Sequence, residues 1–317
     1  MSRSKLVTNI AELSSHLNLS PVKNKKPFKD IEYQLKYIIR FLFYYGAMKN
    51  YLEQISPETL ELAKQAHQVS EKHQPFIVKA FYPYLVSKGS VKSNVRRIVN
   101  HYQFVESYLS KPIIDHIYNP KTPPLNIMKI CVEDAYYSVV LVSDGWCKQE
   151  GEMSLRLLAP DGEKIYMLHF IIGSINGQRT MKIGALQGPK SSSENKQKIK
   201  QLTKTVYGLR PKDLIVRTGL YIAKSWDVKT VVAIKNNQHI WFNKRYKKRN
   251  KGEQVLADFE KHWKELGGKA FNSNFMELPI EETRKDLQLV KRTKRSMYKK
   301  RYDWLDDLQQ NINKLMS

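Results

Sequence analysis

The stretch EMSLRLLAPDGEKIYMLHFIIGSINGQRTMKIGALQG, residues 152–188, decides the fold. Residues 152–158 alternate apolar and polar side chains, the period of a β-strand. Ala159, Pro160, Asp161 and Gly162 then make a turn, and residues 164–173 return as a β-rich run, so the first two segments form a hairpin. A second turn between Gly173 and Gly177 leads into residues 179–188. The pattern predicts a three-stranded antiparallel meander.

Downstream, helical periodicity runs from Ser193 to Val206 and stops at Gly208. It restarts after Pro211 through Leu214, Ile215, Leu220, Ile222 and Ala223 to Trp226. Residues 229–235 then read as a short, fully buried strand. Upstream, Ile31, Leu35, Ile38, Ile39 and Leu42 recur at three and four, with Asp30 as cap and Gly46 as break. Ser56-Pro57 is a helix start, and a further helix is expected over 91–109. Aromatic residues crowd this part (Phe41, Phe43, Tyr44, Tyr45, Tyr51, Phe76, Phe81, Tyr82, Tyr84) and read as the core of a helix bundle.

A Pro-rich stretch at 119–124 interrupts the helical pattern and marks a domain edge. The expected fold class is therefore α+β, an N-terminal helical region followed by a mainly antiparallel sheet domain with helices. Its expected parts are a flexible N-terminus over 1–29, a helical region over 30–119, and an α+β domain over 120–317 that ends in a basic helix. No internal repeat is visible.

The 317 residues carry 54 Lys+Arg against 30 Asp+Glu, a formal charge of +24, on a chain that is 41% hydrophobic. Wholesale disorder is excluded by that apolar content. The two cysteines, Cys131 and Cys147, have no zinc-ligand neighbours, so no metal is expected. The first twenty residues lack the apolar core of a signal peptide, and no run of about 18 apolar residues could span a bilayer. A cytoplasmic protein is expected, with peripheral contact at the inner membrane. Two acid-free tracts contribute 13 of the 54 basic residues: six between Lys244 and Lys251, seven between Lys291 and Arg301. Lys294, Arg295, Lys299, Lys300 and Arg301 are the candidate anion-binding residues, suited to an anionic membrane surface. No nucleic-acid-binding module accompanies them, so specific nucleic-acid binding is not expected.

The blocks EGEMSL (150–155), IGALQGP (183–189), YGLRPK (207–212), NNQH (236–239), FEKHWKELGG (259–268) and KRTKRSMYKKRYDWL (291–305) together resemble the VirK/YbjX family of gram-negative bacteria. The family usually has His at the position of Tyr207, which argues against a catalytic role there, and Ala at the position of Ser296. The resemblance implies association with envelope integrity, virulence and antimicrobial-peptide tolerance, and supplies no reaction.

Residues 181–237 also resemble the central part of Gcn5-related N-acyltransferases: a strand, a Gly/Arg-containing loop, a helix start, then a short apolar strand followed by Asn. That likeness implies a phosphorylated acyl carrier, acyl-CoA or acyl carrier protein, held by Gln187, Gly188, Gly208, Leu209, Arg210 and Lys212. A helix N-terminus and two cations favour an anion. The same Gly208 to Pro211 sequence also reads as a plain helix stop and restart. Acyl transfer needs a base, for which Glu150, Glu152 and His239 are candidates by residue type. His239 lies just past a strand end, where a functional side chain and an ordinary turn histidine are both at home, whereas His169 within its strand reads as a core residue. Gly184, Gln187 and Gly188 suit either a bulge or the close approach of a ligand. The alternative function is a non-catalytic basic accessory protein that binds anionic lipid or a protein partner.

Overall fold

The computed structural model describes residues 53–68, 76–143, 149–247 and 258–317, together with Ile39, Phe43 and Asn50. The flexible N-terminus expected over 1–29, most of the helix expected from Asp30, Cys147 and the end of the first basic tract lie outside these residues.

Three helices precede the sheet: α1 (Pro57–Gln68), α2 (Val91–Tyr108) and α3 (Lys111–Tyr118). Each starts where the local chemistry satisfies its first N–H groups. The Ser56 hydroxyl accepts from the Thr59 N–H (3.2 Å) and the Ser90 hydroxyl from the Ser93 N–H (3.1 Å), while α3 has a proline in its first turn. α2 buries Val95, Ile98, Val99, Tyr102 and Val105 and lies against the sheet. Each such side chain contributes about 1.5–3 kcal/mol relative to remaining in water.

The sheet begins with β1 (Leu125–Val132) and β2 (Ala135–Val142) and continues with the expected meander as β3 (Met153–Leu158), β4 (Lys164–Ile175) and β5 (Gln178–Gln187). α4 (Ser193–Thr205) and α5 (Pro211–Ser225) lead to β6 (Thr230–Ile234). The single turn α6 (Lys244–Lys247), α7 (Phe259–Glu265), β7 (Lys269–Ala270), β8 (Phe275–Leu278) and α8 (Arg292–Met316) complete the chain. The strand order is β1-β2-β3-β4-β5-β6-β8-β7, and β5 with β6 is its one parallel pair. This is the expected α+β class, with two more strands at each edge than the meander and β6 alone provide. α5 packs its buried face, including Leu214, Ile215, Leu220 and Ile222, on β3 and β4, and α8 packs on α5 through the side that carries Leu305, Leu308, Ile312 and Met316.

Two features of β5 set the geometry of everything near residue 184. In the β4–β5 ladder Phe170 pairs with Ile183 and His169 with Ala185, so Gly184 is an extra residue with no partner, a β-bulge. In the β5–β6 ladder pairing runs from Thr180–Thr230 to Ile183–Ala233 and ends, while β5 continues along β4 to Gln187. The two parallel strands therefore part at the bulge.

Residues 150–152 cross this point. A Cβ on Gly184 would be driven into the Glu150 carbonyl and to 2.9 Å from Leu85 Cδ1, and one on Gly151 would lie 2.6 Å from the Phe170 nitrogen. The Glu152 N–H donates to the Phe170 carbonyl (3.0 Å), which locks the crossing. Gly184→Ala is expected to cost about 2–3 kcal/mol by overpacking, read as a lower urea midpoint. Gly173→Ala on β4, whose new methyl would find its nearest neighbour at 3.8 Å, is the control, expected to cost about 1 kcal/mol or less.

Candidate functional site

The crossing aims Glu150 at the end of β5 and at the turn after β6. Gln187, the last residue of β5, donates its Nε2 to Glu150 Oε2 (2.7 Å). Beyond β6 a 3-10 turn over Asn236–Gln238 presents His239, whose Nε2 lies 3.0 Å from Glu150 Oε1, with both side chains under 5% exposed. The Trp241 N–H points at His239 Nδ1 (3.4 Å), so in the neutral ring the proton sits on Nε2, the nitrogen that faces Glu150. The ring is wedged between Trp241 (5.7 Å between centroids) and Phe259 (5.5 Å). Glu150 is thus a buried carboxylate with the Gln187 amide on one oxygen and the His239 ring beside the other.

Glu152, two residues on, belongs to a different network. Its carboxylate is paired with the Lys79 ammonium, both side chains at or below 2% exposure. It also accepts from the Tyr84 hydroxyl (2.5 Å) and the Tyr102 hydroxyl (2.8 Å). Burial, then the Glu152 charge, hold the Tyr84 and Tyr102 phenols well above their ordinary range. Tyr118 is raised for the same two reasons, and its hydroxyl meets His101 Nε2 at 2.7 Å. His101 Nδ1 accepts from the Ile172 N–H (3.1 Å). Burial first, and the Lys79 charge second, lower His101 to about 3. Every other titratable member is neutral at pH 7, so Lys79 and Glu152 balance each other inside a ring of donors, the arrangement that makes a buried ion pair tolerable.

The structure therefore brings Glu150, His239 and Gln187 together and gives Glu152 to a separate, packed cluster. Lys79, Tyr84 and Tyr102 are the site-supporting residues that sequence reasoning missed. Tyr84 figured there only as core, and the partners stand 50 to 73 residues apart in the chain.

The remaining candidates surround the start of α5. A Cβ on Gly188 would lie 3.0 Å from the Tyr166 ring. Burial and the Asp213 charge raise the Tyr166 hydroxyl. Gly208 takes φ +76° and donates to the Thr203 carbonyl (2.6 Å), closing α4, while Pro211 opens α5: the sequence stops one helix and starts the next. Leu209 is buried.

Arg210 makes two hydrogen bonds to Asp213 (2.6 and 3.0 Å) and one to Glu265 (2.8 Å), and Lys212 lies 4.0 Å from Glu265. His262 of α7 has Nδ1 3.7 Å from Asp213 and 3.9 Å from Glu265. Burial first, then the Lys212 charge, lower it to about 4.

On α8, Arg295 donates to the Val290 and Gln288 carbonyls (2.9 Å each). Arg301 donates Nε and Nη2 to the Tyr207 carbonyl (2.9 and 2.7 Å). Lys294, Lys299 and Lys300 are exposed. Among the described residues no group of three or more His, Cys, Asp or Glu is placed to hold a metal, and no helix is long and apolar enough to cross a membrane.

Two predictions follow from the buried groups. Lys79→Met strands the Glu152 carboxylate and is expected to cost about 3–5 kcal/mol in urea unfolding, a loss that Lys79→Met/Glu152→Gln partly recovers. His101 and His262 stay neutral when folded, whereas in the unfolded chain they take up protons near pH 6.5. Stability is therefore expected to fall as pH drops from about 6.5 to 5, with a limiting slope of about 1.4 kcal/mol per pH unit for each histidine. His262→Gln is expected to halve their joint contribution to that slope.

Comparison with known proteins places the chain. The family described as "Protein of unknown function (DUF535)" matches residues 26–314, so the chain belongs to that family, the VirK/YbjX family. It is 28% identical over 233 residues to "Uncharacterized protein YbjX" of Escherichia coli strain K12, covering 73% of this chain and 69% of that one. Two "Uncharacterized protein" sequences of Haemophilus influenzae are each 32% identical, over 167 and 153 residues, and the alignments span about half of each chain. No solved structure matches.

Proposed function

Starting from this family membership, we propose that the protein is an acyltransferase-like enzyme of bacterial envelope modification that takes its acyl group from a phosphorylated carrier, acyl-CoA or acyl carrier protein. One observation carries the reading: β5 and β6 run parallel and part at the Gly184 bulge, beside Glu150, Gln187 and His239. Past Ile183 the edge of β5 is no longer paired by β6. An extended arm bearing amide groups would pair with such an edge as a strand does. Its phosphates would lie toward the first turn of α5, where the Lys212 N–H and the helix dipole favour anions. There they would compete with Glu265 for Arg210 and Lys212, an exchange of one charge-assisted contact for another.

In this reading Glu150 is the proton acceptor. The acceptor amine attacks the thioester carbonyl carbon, a C–N bond forms, and Glu150 takes the amine proton. The C–S bond breaks, and the leaving thiolate recovers the proton from the Glu150 carboxylic acid. Gln187, bonded to one carboxylate oxygen, and His239, packed beside the other, are positioning residues. Glu152 takes no part in transfer; its ion pair with Lys79 anchors the segment that carries Glu150. A non-catalytic role at an anionic surface draws on Lys294 and Lys299, which are exposed on α8.

Titration calorimetry with acyl-CoA and with acyl-loaded carrier protein tests the proposal. The folded wild type is expected to bind one of them. Glu150→Gln is expected to bind within about threefold of wild type while transfer falls about a hundredfold or more, the usual scale of general-base loss. Folded wild type that binds neither donor would overturn the reading.

A further inference from the structure

We infer that the groove between α4 and α8 is a binding site for a ligand with two or more clustered phosphate groups, on a surface separate from the Glu150 site and independent of the acyl-transfer reading. The groove has a volume of about 660 Å³, well within the range of small-molecule sites. Its cations are Lys200 and Lys204 from α4 and Lys300 from α8, and its hydroxyls include Thr293 and Ser296.

The charge pattern is selective. Lys200 and Lys204 stand one turn apart on the same face of α4, where like charges repel, and Lys300 adds a third ammonium from the facing helix. Among the described residues none of the three forms an ion pair. Lys198 of the same helix differs: it is paired with Asp161 (3.6 Å), Glu163 (2.6 Å) and Glu194 (2.8 Å). The fold thus supplies acids to one side of α4 and withholds them from the groove. A smaller cavity of about 210 Å³ provides the contrast, because its Lys224 and Arg284 share the lining with Glu281, Glu282 and Asp306. Uncompensated positive charge converging on a concave surface is stabilised by a multivalent anion.

The floor is built in advance. Arg301 holds the Tyr207 carbonyl with two nitrogens and stacks on Tyr298 at 4.5 Å, adding a cation bonded to a neutral group. A side chain on Gly208 would reach within 2.8 Å of that guanidinium and 3.2 Å of Met297 Sδ. The junction of α4 and α5 is therefore fixed to α8 without any ligand, which lowers the ordering cost of binding. Thr293 and Ser296 fall in the first two turns of α8, where the helix dipole adds to the lysine field.

Binding of two probes at low salt tests the site: tripolyphosphate in solution, by calorimetry, and phosphatidylcholine vesicles containing phosphatidic acid, by flotation. The groove variant Lys200→Gln/Lys204→Gln/Lys300→Gln is compared with Lys88→Gln/Lys121→Gln/Lys269→Gln, which removes the same charge from exposed positions outside the groove. The groove variant is expected to weaken binding about thirtyfold or more, and the control less than about threefold. Groove-dependent binding of tripolyphosphate assigns a soluble ligand; groove-dependent binding of vesicles alone assigns a lipid headgroup. Equal losses in the two variants, or no binding of either probe by folded wild type, would overturn the proposal. Lys300→Gln alone, expected to lose about tenfold, serves if the triple variant does not fold.

Discussion

The carbonyl of Glu150 rests on the Cα of Gly184, where β5 bulges away from the β4 ladder and from β6. Only a residue without a side chain lets two backbones come this close. The same demand recurs at Gly151 against the Phe170 backbone. Together they bring residues 150–152 across the sheet at the one place where the parallel strands separate. Glu150 is thereby delivered to Gln187 and His239, and Glu152 to Lys79, Tyr84 and Tyr102.

The two carboxylates illustrate how burial assigns different work to neighbouring groups. Glu152 has a full counter-charge and two phenols, so its desolvation is offset within the cluster and its position is rigid. Glu150 is equally buried, with the Gln187 amide on one oxygen and the His239 ring beside the other. The network around Glu152 fixes the segment that also carries Glu150.

Much of the fold was legible because period and turn chemistry agree. The alternation over 152–158, the Asp161-Gly162 turn and the Gly208-Pro211 break each correspond to an observed boundary within a residue or two. β1 escaped because its burial alternates in phase through Ile127 and then slips, with Met128 half-buried and Lys129 exposed, just after a register shift in its pairing with β2. β7, two residues long, has no period at all. Residue type singled out Glu150, Glu152 and His239, of which the fold brings Glu150 and His239 together and places Glu152 elsewhere. The division between them depends on Lys79 and Tyr102, whose proximity is a product of tertiary packing of α2 and its preceding turn. The cations Arg210 and Lys212 were legible as charges, but their engagement with Asp213 and Glu265 was not.

The basic excess also changes meaning once the helices are in place. Arg295 and Arg301, two of the seven basic residues between Lys291 and Arg301, spend their hydrogen bonds on carbonyl oxygens and so serve the fold. Lys300 instead faces Lys200 and Lys204 across a groove. The central claim remains that the parting of β5 and β6 makes a binding edge, and amide chemical-shift mapping with a non-hydrolysable acyl-CoA analogue tests it most directly. The account predicts the largest shifts at residues 183–188, 210–214 and 236–239. Shifts confined to the lysines of α4 and α8, with residues 183–188 unmoved, would contradict it.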